Sequence, residues 1–324
     1  MKMKRMRLYP QLAMGRLRVT CMAWFLTLFL FLGGSAYAEL RDFTFTITES
    51  TLKLKGMEFP VWTFSGTVPG PEIRVKEGDA VRIRLINRSN AYHTLTFHGL
   101  HVPFSMAGIP GYSQEPVGPD EEFTYEFVAK PSGTHYYHCN VNLAEHLDMG
   151  MYGAFIVEPR EDEVKADKEF VYILDEWNSS ALRGKDHHGT GHPRSLKDYD
   201  IITINGKAVT EDAPMVMEVK KGERVRIRLI NVGYLPHALR FPDGFTITHE
   251  DGYPLVEPRK ETSLTIYPGK RYDIVFTAER EGRKPFYHTI TFPKPFRHGL
   301  SHGEDIDKPQ REEGVIILDV GGPS

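Results

Sequence analysis

Cysteine is almost absent from this chain. Of 324 residues only Cys21 and Cys139 carry a thiol, so no disulfide framework can supply the stability of the fold. Long apolar runs are missing too. The stretch from Met22 to Leu32 is about eleven residues, against the roughly 20 that a helix needs to cross a bilayer. Basic charge is not in excess either, since 40 Lys and Arg face 43 Asp and Glu. That balance argues against nucleic acid or an anionic lipid surface as the main partner.

What stands at the start reads as an export signal, residues 1–38. Lys2, Lys4, Arg5, Arg7, Arg16 and Arg18 give a basic beginning without a twin arginine, the apolar stretch follows, and Ala36-Tyr37-Ala38 forms a small-x-small cleavage site. Its removal takes six positive charges and moves the formal balance from -3 to about -9. The expected destination is the periplasm or the exterior, with no integral membrane span left. Cys21 departs with the signal, and Cys139 remains as a single thiol in an oxidising compartment. Such a thiol is either buried and inert or protected by a metal.

The chain repeats itself. Val75-Lys-Glu-Gly-Asp-Ala-Val-Arg-Ile-Arg-Leu-Ile-Asn87 returns as Val219-Lys-Lys-Gly-Glu-Arg-Val-Arg-Ile-Arg-Leu-Ile-Asn231, and a histidine follows six residues later each time, His93 and His237. Both copies alternate apolar and polar residues, the period of a strand with one buried face. Other short apolar runs recur between Gly and Pro turns. An all-β chain of two tandem β-sandwiches is expected, the first over 39–160 and the second over 198–324. Between them, 161–197 reads as a linker with a polar loop carrying His187, His188 and His192.

Residues 133–151, GTHYYHCNVNLAEHLDMGM, hold the densest chemistry. With His93 they supply Cys139, His146 and Met151, two imidazoles, a thiolate and a thioether. Those are the donors of a blue-copper electron-transfer centre. Met149 competes for the axial place, and Met151, five residues after His146, is preferred.

At these residues the chain resembles the two-domain cupredoxin proteins, which comprise the small laccase-like multicopper oxidases and the copper nitrite reductases. The resemblance spans the mature chain and implies two cupredoxin-like Greek-key sandwiches, a type 1 copper in the first and none of its kind in the second, where Thr289 stands in for the cysteine. It rests on His93-Thr-Leu-Thr-Phe-His98-Gly, on His138-Cys139 with His146 and Met151, and on weaker echoes around His237 and His288.

In this family the histidine beside the ligand cysteine, here His138, points to a second copper. Laccase-like relatives hold three coppers there on eight histidines in His-x-His pairs. Here the pairs read Thr96-Phe-His98, His138-Cys-Asn140, Arg240-Phe-Pro242 and His288-Thr-Ile290, so three of eight remain. Ala107 also stands where the oxidases have an acid. The survivors His98, His138 and His288 match the ligands of the single type 2 copper of nitrite reductases, where the third comes from a neighbouring subunit of a trimer. The resemblance therefore implies a homotrimer, an electron-donor protein and a small-molecule substrate such as nitrite.

Thr96 falls at the aspartate that delivers protons in those reductases, and the proton-relaying histidine falls near Pro242. Proton donation contributes about 10²- to 10⁴-fold, so a slow nitrite reductase or a different reaction is expected. His101, His135, His237 and His249 are candidate replacements, and His237 reads more simply as structural. Two other functions stay open: a blue-copper electron carrier or copper-binding protein with an empty second site, and a degenerate laccase. His298 and His302, like the linker histidines, could capture copper but read as surface loops.

Overall fold

A computed structural model describes residues 38–161, 164–179, 196–290 and 314–322. The segment read as an export signal, up to residue 37, and the histidines at 187, 188, 192, 298 and 302 lie outside the described residues. Among the described residues, no helix is long and apolar enough to cross a membrane.

The fold is all-β. The first sandwich has one sheet of β1 (Leu40–Leu54), β2 (Met57–Phe64), β4 (Ala80–Asn87) and β6 (Glu122–Val128), ordered β2-β1-β4-β6. Facing it are β3 (Ile73–Lys76), β5 (Thr96–His98), β7 (Gly133–His138) and β8 (Tyr152–Glu158), ordered β3-β8-β7-β5. Phe45, Ile83, Leu85 and Tyr125 from one sheet meet Val75, Phe97, Tyr137 and Phe155 from the other in one buried core. A short helix, α1 (Leu143–Asp148), caps one end between β7 and β8.

The second domain is a single ten-stranded sheet that curls around its own core. Its strands are β9 (Lys168–Trp177), β10 (Ile201–Ile204), β11 (Lys207–Ala208), β12 (Met215–Lys220), β13 (Arg224–Asn231), β14 (His237–Glu250), β15 (Tyr253–Ile266), β16 (Arg271–Thr277), β17 (Gly282–Ile290) and β18 (Gly314–Gly321). They run β11-β10-β9-β13-β16-β14-β17-β18-β12, with β15 attached to β14. The repeat extends to the pairings: parallel β1–β4 returns as β9–β13, parallel β3–β8 as β12–β18, and antiparallel β5–β7 as β14–β17. This sheet thus begins at Lys168, inside the segment read as a linker. Its Tyr172 and Leu174 join the second core, and Ile173, on the opposite face, packs toward the first domain.

The repeated Val-Arg-Ile-Arg-Leu motif has two fates. In β4 the arginines face solvent and pair across the strand, Arg82 Nε with Glu126 at 2.7 Å and Arg84 Nη2 with Glu122 at 2.6 Å. In β13 the equivalent Arg226 and Arg228 are buried. Both reach Asp273 Oδ2, at 2.7 and 3.1 Å, and Arg228 also donates to Thr134 Oγ1 of β7 at 2.9 Å. Thr134 in turn donates to Asp273 Oδ1 at 2.6 Å. Beside this polar lock Tyr136, Tyr152 and Ala154 pack on Ile173, Ile230 and Val232, which joins the two domains.

Burial alone would raise the pKa of Asp273, but the guanidiniums of Arg228 and Arg226 outweigh it and hold the carboxyl below its ordinary value. Removing one partner of a buried ion pair leaves an uncompensated charge, at a cost of about 3–5 kcal/mol. Asp273→Asn is expected to lower unfolding stability by that order in a denaturant titration, while Glu126→Gln, at the exposed counterpart, should barely move the midpoint.

Candidate metal centre

The first site is built from the end of β4. Asn87 Nδ2 donates to Ala91 O at 2.6 Å and Val117 O at 3.0 Å, while its Oδ1 accepts from Ser89 N at 2.9 Å. This bracket closes the turn that delivers His93. Ser89 Oγ donates to Asn87 Oδ1 at 2.8 Å and lies 2.8 Å from His93 Nε2. A hydroxyl has one proton to give. With that proton on Asn87, Ser89 accepts from His93 Nε2–H, and His93 Nδ1 is left as a bare lone pair facing Cys139.

Cys139 follows β7 directly. Its N–H donates to Met151 O at 3.1 Å, and Met151 N–H donates to His146 O at 3.0 Å, so backbone bonds fold the 139–151 loop back on itself. Asn142 opens the turn into α1 with a left-handed φ of 43°, a conformation asparagine tolerates. The helix then turns His146 inward. His146 Nδ1 lies 3.0 Å and His93 Nδ1 3.8 Å from Cys139 Sγ. The three donor atoms lie within 4.8 Å of one another, and all three residues are buried.

Met151 is fully buried in the same core cluster as Cys139, whereas Met149 is half-buried. Of the two methionines, Met151 is the one enclosed in the core. Trp62 covers the cluster, its ring 4.6 Å from His146 and 5.3 Å from His93, and its backbone N–H donates to Met149 O at 3.0 Å. Burial lowers the pKa of His93 to about 3, helped by the neighbouring His146. The imidazole is thus neutral and ligand-ready at ordinary pH. Burial pushes the Cys139 thiol up to about 11, so a metal must displace its proton.

The second group lies one residue away. β5 pairs Thr96 with His138 and His98 with Tyr136. Phe97 enters the core, which leaves Thr96 and His98 together on the opposite face, as the period of a strand requires. The His98 and His138 rings are 5.9 Å apart, and His98 stacks on Tyr136 at 4.4 Å. His138 Nδ1–H donates to Cys139 O at 2.9 Å, so its free lone pair is on Nε2. Burial lowers the pKa of His98 to about 4, and the nearby Arg271 guanidinium adds to the shift. Thr96 Oγ1 lies 3.1 Å from both Ala107 O and Gly108 O, which occupy its proton.

His288 is placed elsewhere. It is fully buried in the second domain, with Nε2 2.7 Å from His237 Nδ1. Within one chain the structure does not bring it to His98 and His138. Among the described residues the one group of three His, Cys, Asp or Glu that could hold a metal is His93, Cys139 and His146. Where laccase-like pairs would add imidazoles, Asn140 donates its N–H to Thr94 Oγ1, Arg240 lies over the Tyr287 ring at 4.4 Å, and Ile290 is buried. Of the other histidines, exposed His101 meets Tyr253 OH at 3.2 Å, buried His135 donates to Pro131 O at 3.0 Å, and His249 contacts Thr248 Oγ1. Sequence reasoning missed Ser89, Trp62 and Glu176. No spacing rule marks them, although the recurrence of Asn87 as Asn231 was visible in the repeat.

A thiol and two imidazoles converging at one end of a cupredoxin-type sandwich, with Met151 buried in the same core, are the donor types of a blue-copper centre. Comparison with known proteins agrees. The multicopper oxidase family pattern matches residues 46–162 and again residues 168–305. The crystal structure of the blue copper oxidase from Nitrosomonas europaea superposes with a TM-score of 0.74 at 32% identity, covering 87% of this chain and 86% of that one. A copper resistance protein A homolog of Pseudomonas syringae pv. tomato is 32% identical over 86% of this chain and 53% of its own length. The copper-containing nitrite reductase of Neisseria gonorrhoeae is 31% identical over 57% of this chain and 47% of its own. The chain spans about half the length of the curated relatives it matches.

The chain belongs to the multicopper oxidase family of two-domain cupredoxin proteins, a family of copper oxidoreductases. Copper, including a type 1 centre, is its cofactor.

Cys139→Ser is expected to abolish the intense blue absorption of the copper-loaded protein. Copper uptake should also acidify a weakly buffered solution of the copper-free chain, since thiolate is the binding form. The variant should release less acid. Retained colour would contradict the ligand assignment.

Proposed function

We propose that the protein is an exported copper oxidoreductase with a type 1 copper on His93, Cys139, His146 and Met151. His98 and His138 would hold a second, mononuclear copper, with His288 of an adjacent subunit as its third imidazole. A copper pair of this kind supplies one-electron chemistry on a small oxidised molecule, with nitrite as the first candidate. The observation that carries the reading is the Cys139-His138 dipeptide: Cys139 faces the buried cluster, while His138 turns to the other side of β7 beside His98. One peptide unit thus joins the two sites by covalent bonds.

The chain's own residues prepare both places. Ser89 and the Cys139 carbonyl fix the tautomers of His93 and His138, so each imidazole offers its lone pair without rearrangement. Arg271, held by Thr134 O, Gly269 O and Asp251 O, keeps a positive charge near His98. That charge favours an anionic substrate. With Thr96 as an unionised hydroxyl bonded to carbonyls, slow proton delivery is expected. The homotrimer and the electron-donor protein belong to the same proposal, because a ligand supplied by a neighbour exists only in the assembly.

One observation favours a second reading, a blue-copper electron carrier without the second copper: His288 is turned into the core of its own domain. Copper content with the electron paramagnetic resonance spectrum separates the two. Two coppers per chain, one blue and one ordinary, are expected, and His138→Ala should lose the ordinary signal together with nitrite turnover. A single blue signal in the copper-saturated wild type would establish the carrier instead.

A further inference from the structure

The second domain keeps the frame of the first metal site and fills it differently. Asn231 Nδ2 donates to Leu235 O at 2.8 Å and Ile266 O at 2.7 Å, and its Oδ1 accepts from Gly233 N at 2.9 Å, as Asn87 does for its own turn. His237 stands where His93 stands. Gly233, however, replaces Ser89, and a Cβ at Gly233 would fall 2.0 Å from Glu176 Oε2. The carboxylate occupies the place of the serine side chain.

The cysteine position has changed as well. β5 and β7 pair Thr96 with His138, but β14 and β17 pair the equivalent Arg240 with Tyr287. The next residue on the core side is Cys139 in the first domain and His288, not Thr289, in the second. A buried chain results: Glu176 Oε2 lies 2.8 Å from His237 Nε2, and His237 Nδ1 lies 2.7 Å from His288 Nε2.

The protons of this chain follow from its end. Glu176 Oε1 already accepts from Tyr234 N–H at 2.5 Å and Leu235 N–H at 2.9 Å. An ionised carboxylate only accepts, so His237 carries its proton on Nε2. His237 Nδ1 is then an acceptor, and His288 must donate from Nε2. The one lone pair left is on His288 Nδ1, which is buried and has no hydrogen-bond partner among the described residues. Gly314 lies on that side of the ring, where a Cβ would come 3.5 Å from Nδ1.

We propose that Glu176 and His237 are positioning residues that hold His288 as its Nε2–H tautomer and make Nδ1 the atom it offers to a metal. This rests on the reading of His288 as third ligand of the second copper. Metal-binding histidines are commonly oriented through their other ring nitrogen in this way. Here the orienting group is a second imidazole backed by a carboxylate, inherited from the frame of a type 1 site.

Glu176→Gln tests the proposal because it reverses the chain without changing its shape. The amide oxygen keeps Tyr234 and Leu235 N–H, so the amide nitrogen must donate to His237 Nε2. His237 then donates from Nδ1 to His288 Nε2, and the His288 proton moves to Nδ1. Nitrogen-15 NMR of the histidines in the copper-free full chain reads both tautomers, at a pH well above about 7, the value to which burial raises Glu176.

The wild type is expected to show a bare Nδ1 on His288 and protonated Nε2 on both rings, and the variant the opposite. The variant should also lose one of two coppers per chain while keeping its blue absorption. A protonated Nδ1 on His288 in the wild type overturns the proposal without recourse to any variant. Reversed tautomers with both coppers retained overturn the choice of Nδ1 as the ligand atom. A wild type holding a single copper overturns the two-copper reading alone, and the same spectra then still decide whether Glu176 sets the tautomer.

Discussion

The hydrogen-bonded bracket at the end of β4 is what the metal cluster depends on. Asn87 ties the turn to Ala91 and Val117, Ser89 accepts the His93 proton, and the imidazole is thereby aimed at Cys139 with its lone pair forward. On the other side of the sulfur, the bonds from Cys139 to Met151 and from Met151 to His146 hold the loop that carries the remaining donors. Bringing a thiol and two imidazoles together from a flexible chain would oppose binding through lost conformational freedom. The sandwich has met that cost in folding, so the donors already converge.

The same frame occurs twice and has been put to different uses. Around Asn87 it encloses a thiol and two imidazoles, and around Asn231 it encloses a carboxylate and two imidazoles. The difference comes from few positions: Ser89 against Gly233, Cys139 against His288, and Glu176 reaching in from β9. A soft donor set suits copper, whereas the second set lacks any sulfur and is already joined internally by hydrogen bonds. The domains also divide the labour of assembly. The arginines that face solvent in β4 become, in β13, the lock around Asp273 that ties the second domain to β7, the strand that carries His138.

Much of this was legible in the sequence. Alternation in Val81-Arg-Ile-Arg-Leu85 marks a strand whatever surrounds it, and His93, Cys139 and His146, which the fold brings together, stand out by donor type alone. What periodicity could not supply was the environment of the polar face. Arg82 and Arg226 sit in the same motif, and only the docking of the domains buries one of them. β9 was hidden because its ends are charged and its apolar centre is short, so its place in the second sheet depends on pairing with the distant β13. Register was equally invisible: counting along the chain aligns His288 with His138, while the ladder between β14 and β17 puts it opposite Leu239 and so on the core face. Ser89 and Glu176 matter through single hydrogen bonds, which leave no pattern in a sequence.

At the first site everything depends on Cys139 Sγ binding copper between two imidazoles. X-ray absorption at the copper edge, on the copper-loaded His138→Ala chain so that the first site is observed alone, tests it directly. One short copper–sulfur shell with two imidazole shells is the expected result. A spectrum of nitrogen and oxygen neighbours without a short sulfur shell would contradict it.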